Sequence, residues 1–403
     1  MDETTSYRFN MKKSIIALSL LALTAGAQAQ SSVTLYGRID NGLVYRTGIP
    51  GGNVFGAQSG GWGESWWGLL GSEDLGGGSK AIFQLESGFS AMTGNVQNGS
   101  LFGRHATVGL SNDRFGTFKL GNIGAGEISQ DSWDIDPQLM QQYAIATLVR
   151  GRNWAQAGNG AEYTSPSMGG LTLKGQYELT NSPSWNSAPG CSASSSSPCG
   201  SGPAQVGGGQ GRADGFKAMY TGGSFELLAI YDETRDTNGK FDNVYQYSRS
   251  AMAGGNLTWG PLKAFVGYQH LAAPDGSYGS YGVTPGTLPG GATPVTAVDH
   301  EWLGLAWQAN AAVALTGAVY HANANNGNGN ATMYTLAGTY NLSKRTFLYT
   351  ELAYVENSKT SNVGLGNGYA DPYGPNTNQG GTSQTPNYGS GQFGAIAGIM
   401  TQF

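Results

Sequence analysis

The stretch Trp66 to Phe89, WWGLLGSEDLGGGSKAIFQLESGF, constrains this chain most. Two alternating runs flank the turn Ser72–Gly78. Trp67 and Leu69 share a face before it, and Ala81, Phe83, Leu85 and Phe89 share one after it. Lys80, Gln84 and Glu86 occupy the other face of the second run. Strand side chains repeat every two residues, so this is a hairpin with one apolar face and one charged face. In a soluble sandwich the apolar face meets a second sheet. In a membrane barrel it meets lipid, and the charged face meets water within.

The remaining sequence favours the barrel. Only 39% of the 403 residues are hydrophobic and 66 are glycine, too polar for a helical membrane protein and too glycine-rich for an ordinary helical domain. Met11-Lys12-Lys13, the apolar run Ile15–Ala25 and Ala27-Gln28-Ala29 form a secretory signal with cleavage expected after Ala29. The acidic stretch before Met11 does not suit such a signal, so residues 1–29 read as leader and signal, with translation expected to start at Met11. No later run is apolar enough for a membrane helix, and an exported chain without one crosses a bilayer only as a closed barrel. No basic block suits nucleic acid. Cys191 and Cys199, in a Ser/Gly/Pro-rich stretch of an exported chain, are expected to form a local loop disulfide.

Alternation recurs along residues 30–403. In Val33–Arg46, Val33, Leu35, Ile39, Leu43 and Tyr45 oppose Thr34, Arg38, Asp40 and Arg46. Gly48–Gly61 reads as a loop. Similar runs follow to Phe403, roughly 16 in all, enough to enclose an aqueous channel. Short joints such as Gly222-Gly223 and Trp259–Pro261 alternate with long polar ones, 181–212, 272–297 and 357–391, as outer-membrane barrels are laid out. Aromatics near strand ends, including Tyr36, Trp66, Trp259, Trp302 and Tyr340, suit two interfacial belts. Ile123–Trp154 breaks the rhythm. It holds Glu127, Asp131, Asp134 and Asp136, then Arg150 and Arg152, and is too long for a structureless connection, so a functional insertion or a short internal helix is expected.

SSVTLYGRID (31–40), GSEDLGGGSKAIFQLESGF (71–89), LFGRHATVGLSNDRFGTFKLGN (101–122), NGAEYTSP (159–166), NLSKRTFLY (341–349) and the terminal Phe403 together resemble the general-diffusion porins of Gram-negative outer membranes, in their beta-proteobacterial branch. The resemblance implies an all-β, 16-stranded antiparallel transmembrane β-barrel, usually a homotrimer, with long external loops, short periplasmic turns and an inserted constriction loop around 123–152. It implies passive diffusion of small hydrophilic solutes and ions, with lipid and lipopolysaccharide around the barrel and Phe403 read by the barrel-assembly machinery. It implies no enzyme activity and no cofactor. The chain departs from the family where wall arginines are usual. SRWGLRG reads SWWGLLG with Trp66 and Leu70, LGR reads LGN at Asn122, NSxRY reads NGAEY at Glu162, and Met400 replaces a closing basic residue. Expected pore-lining residues are Arg38, Asp40, Trp66, Lys80, Glu86, Glu127, Asp131, Asp134, Asp136, Arg150 and Arg152. Arg38, Lys80 and Arg152 are expected to face the acidic loop. Fewer arginines beside acidic residues point to weak anion selectivity or to cation selectivity.

His300-Glu301-Trp302 lacks the second histidine of a zinc motif, and Asp236–Asp242 lacks the closing glutamate of a calcium loop. No metal site is expected. The rival reading is a barrel that acts as a solute-specific channel, or as a surface binding protein through its long loops.

Overall fold

The period-two pattern becomes one continuous sheet. The computed structural model describes residues 32–154, 158–179, 212–236, 238–366, 373 and 385–403. Cys191, Cys199 and the leader lie outside the described residues. Seventeen strand segments, β1 (Ser32–Ile49) to β17 (Gln392–Gln402), pair antiparallel with their neighbours, and β1 pairs β17 to close the barrel.

β2 (Gly52–Ser59) lies against Asn41–Ile49 of β1, and β3 (Trp66–Gly76) lies against Ser32–Arg38 of the same strand. β2 and β3 are thus one stave interrupted at residues 60–65, and the seventeen segments make a closed 16-stranded antiparallel barrel. The expected loop at 48–61 is instead largely strand, β2. GNVFGAQS carries too few paired apolar positions to read as a strand, and its pairing partner, β1, supplies the order.

Pairing register fixes which side chains point inward, because directly opposed residues share a face. Arg38 opposes Trp66, Leu70 opposes Gln84, and Glu86 opposes His105, so all of these face the lumen. The outer face carries Val33, Leu35, Leu43, Val108, Leu227 and Leu303, each largely exposed on the single chain. In water such a surface would be an aggregation hazard; in a bilayer it is the lipid contact. Tyr163, Tyr220, Trp259, Trp307 and Tyr340 ring the end with short turns, and Tyr231, Tyr268, Tyr334 and Tyr354 form a belt further along. Tyr36, Trp66 and Trp302 point inward and belong to neither belt.

Short turns follow β3, β5, β7, β9, β11, β13 and β15 at one end of the barrel. Long connections follow most strands at the other, the exceptions being the tight turns Pro50-Gly51 between β1 and β2 and Asn325–Asn328 between β14 (Val313–Ala324) and β15 (Gly329–Asn341). The connection after β6 (Gly116–Asn122) folds inside. It contains 3-10 turns at Ile128–Ile135 and Arg152–Trp154 and one helical turn, α1 (Ile145–Leu148). This matches the expected short internal helix. Ile128, Ile135, Tyr143, Ile145, Leu148 and Val149 join Leu228, Ile230, Trp302, Tyr320 and Met333 of the wall in the main apolar cluster.

Candidate functional site: the pore constriction

The inserted loop leaves β6 at Gly124, whose φ is +49°. A Cβ there would sit 2.2 Å from the carbonyl oxygen of Arg104, so only glycine makes this inward turn. Further on, Leu139 and Met140 hold positive φ angles of 51° and 57°, a costly conformation for such side chains. Asp136 offsets that cost. Its carboxylate accepts from the amides of Gln138 (3.1 Å), Met140 (2.9 Å) and Ile145 (3.2 Å) and from the Tyr320 hydroxyl (2.6 Å). Wall side chains complete the docking. Trp302 donates to the Ile135 carbonyl at 2.8 Å, Gln138 to Thr335 at 2.8 Å, and Gln269 to Asn153 at 2.9 Å.

Asp40 plays a matching part at the interrupted stave. It accepts from the amides of Trp62 (2.8 Å) and Gly63 (2.7 Å) and from the Tyr349 hydroxyl (2.6 Å). Residues 60–65 are thereby held as an inward bulge. The bulge touches the inserted loop, where the Gln142 amide donates to the Gly61 carbonyl at 3.3 Å and Gln58 to the Gln142 side chain at 2.6 Å. The lumen is therefore narrowed by two chain segments in contact.

The expected residues divide into two groups. Asp40, Glu127, Asp136, Arg150 and Arg152 are buried. They fasten the constriction instead of lining it, because protein partners cover each of them. Glu127 accepts from Ser129, Arg150 donates to Asn362 at 2.8 Å, and Arg152 pairs with Asp232 of β10 (Phe225–Thr234) while bonding Ser248. Arg152 thus belongs to the loop and meets a wall carboxylate, the reverse of the expected arrangement. Arg38 donates to the Glu64 carbonyl at 2.8 Å, and Lys80 makes no ion pair among the described residues, so neither grips the acidic loop. Glu86, nearly covered, pairs with Arg104 and accepts from Tyr36 at 2.9 Å. Trp66 and Leu70 face the lumen, and Asn122 faces outward, opposite Ala106, with its amide on the carbonyls of Phe102 and Gly103.

Three lysines that the sequence reading did not single out hold the acidic loop. Lys174 of β8 (Leu171–Leu179) reaches Asp131 and Glu162, each at 3.2 Å. Lys217 of β9 (Arg212–Thr221) reaches Asp131 at 2.7 Å and lies 3.9 Å from Asp134. Lys119 of β6 pairs with Glu162 at 2.9 Å. Three bases thus stand beside three carboxylates. Register carried the signal: Lys119 opposes Glu162, and Lys174 opposes Lys217.

Burial pushes the loop carboxyls up. Glu127 rises to about 7, chiefly through loss of water and then through Asp232, with Arg152 opposing. Asp134 rises to about 6, again mainly by burial, with Lys217 opposing. Asp136 is raised by burial against its four hydrogen bonds.

A closed antiparallel barrel with an apolar exterior, a charged interior and a loop folded into its lumen defines an outer-membrane channel. A family model described as Gram-negative porin matches residues 17–360, and the chain belongs to that family. It is 32% identical over 402 residues to an outer membrane porin protein of Bordetella pertussis, covering 88% of this chain and 99% of that one. Its fold is similar to an anion-selective porin from Comamonas acidovorans, with TM-score 0.69 and 22% identity over 93% of this chain and 100% of that chain. It is also similar to OmpT of Vibrio cholerae, solved in a trimer form, with TM-score 0.58 and 14% identity over 93% of this chain and 99% of that chain. The protein is a porin of the Gram-negative outer membrane, a channel for passive diffusion.

Proposed function

We propose that this porin passes small hydrophilic solutes and ions with little preference for either sign of charge, and less preference for anions than an arginine-lined pore has. The observation that carries this reading is the matching of Lys119, Lys174 and Lys217 by Asp131, Asp134 and Glu162 at the constriction. An unmatched ring of one sign would select the opposite ion; a matched set leaves a weak field.

In the same reading residues 1–29 are removed on export, Phe403 is the signal for the assembly machinery, and the barrels work as homotrimers amid lipid and lipopolysaccharide. Cys191 and Cys199 close a loop disulfide. The trimeric form of the Vibrio protein supports the assembly by likeness of fold.

Reversal potential of the refolded mature protein in a planar bilayer, under a salt gradient, tests the selectivity. A potential close to zero is expected. A strongly anion-selective current would refute the balanced constriction while leaving the channel intact.

A further inference from the structure

The lumen wall beside the constriction carries aromatic surface that unselective diffusion does not require. Trp62, on the bulge, meets Phe347 edge-on at 5.4 Å and Tyr349 at 5.6 Å between ring centres. Trp66 meets Tyr36 edge-on at 5.0 Å and lies under two guanidinium groups, Arg38 at 5.5 Å and Arg104 at 5.7 Å. Tyr36, Trp62, Trp66 and Phe347 are neither buried nor fully exposed. Rings needed only for packing would be covered, whereas these keep part of their surface toward the channel.

The polar groups around them are unequally engaged. Glu64 and Glu86 both pair with Arg104. Asp40 is occupied by two amides and a hydroxyl. The acceptors beside the rings are therefore already used. Arg38 is in the opposite condition: its Nε donates to the Glu64 carbonyl, and it forms no ion pair among the described residues. Its guanidinium lies against Gly63, where a Cβ would come within 2.7 Å of Nη2, and so sits between Trp62's segment and Trp66.

We propose that this surface is a binding subsite for aromatic carboxylates, the solute ring resting on the indoles and its carboxylate on Arg38. Ring faces attract rings, and a guanidinium with free N–H groups is the natural partner of a carboxylate. A sugar's hydroxyls would compete with Arg104, two backbone amides and Tyr349 for the carboxylates beside the rings. The assignment rests on the porin reading and deepens it, since the bulge bearing Trp62 touches the inserted loop and a solute held there lies at the narrowing.

The test is block of the ion current of the refolded protein in planar bilayers by benzoate, acetate, benzyl alcohol and glucose in turn. Benzoate is expected to half-block at a concentration about tenfold below those of acetate and benzyl alcohol, the size expected for one added ring or charge contact. Glucose should need more still. Trp62→Leu should bring benzoate to the level of acetate, and Arg38→Gln should bring it to the level of benzyl alcohol. Tyr334→Ala, on the lipid face, should keep the wild-type order. Equal block by benzoate and acetate in the wild type overturns the proposal without any variant, as does glucose acting at the benzoate concentration. Retention of the benzoate preference in a folded Trp62→Leu barrel also overturns it. No ion current at all would instead refute the channel reading on which it rests.

Discussion

Asp40 and Asp136 show how little a side chain's face says about its task. Both are carboxylates where a channel lining is expected, and both give their oxygens to backbone amides and a tyrosine. For Asp40 the facing could be read from the sequence, because period two is a local property, whereas Asp136 lies where the alternation breaks. The task could not, since Tyr349 lies 309 residues from Asp40 and Tyr320 lies 184 from Asp136. Asp136→Ala leaves three amides and a phenol without their acceptor, at about 1–3 kcal/mol for each group that stays dry. The inserted loop should then be cut by added protease under conditions where wild type resists. Tyr320→Phe removes a single bond and should cost only about 1 kcal/mol, seen as a small drop in denaturation midpoint. Lys174 and Lys217 sit on alternating strands, but their partnership with Asp131 has no sequence period, since it runs across the lumen. Replacing both with methionine leaves Asp131 without a counter-charge and should move the reversal potential toward cations.

The inserted loop is the element on which function turns, and its acids set a pH response. A free carboxyl titrates near pH 4, whereas docking raises Glu127 to about 7 and Asp134 to about 6, and raises Asp136 as well. The docked loop therefore holds more protons than the undocked one between those limits. Docking is firmest below pH ~4 and weakens as pH rises through ~6–7. Amide hydrogen exchange across residues 128–154, corrected for the intrinsic rate, should be slower at pH 5 than at pH 8. Neutralising Asp134 over the same interval should shift permeability toward anions on acidification, a change that reversal potential can follow. The loop's presence was legible because 123–154 breaks an otherwise regular alternation. The bulge at 60–65 was not, because glycines and a lone tryptophan give no period, and β2 is ordered by β1.

At the scale of the molecule, the barrel was legible because its inside and outside are both written into every strand. The seam that closes it was less so. Phe403 exchanges backbone hydrogen bonds with Gly37 at 3.0 and 3.1 Å, and its ring covers that glycine, where a Cβ would come within 2.6 Å of both the ring and the Trp66 carbonyl oxygen. Gly37→Val should force the terminus off β1 and lower the yield of heat-resistant folded barrel on refolding, while a bulkier residue at outward Leu43 should not. The docking of the inserted loop has a further consequence for a cell that meets both dilute and briny water. Apolar packing and buried bonds from carboxylate to amide are hardly screened by ions, whereas the part-exposed lysine–carboxylate pairs are screened within about 10 Å at 0.1 M and within about 3 Å at 1 M. The width of the aperture should therefore hold constant across salinities while its choice between ions fades. Such a pore keeps its size limit in brine and gives up only its electrical discrimination.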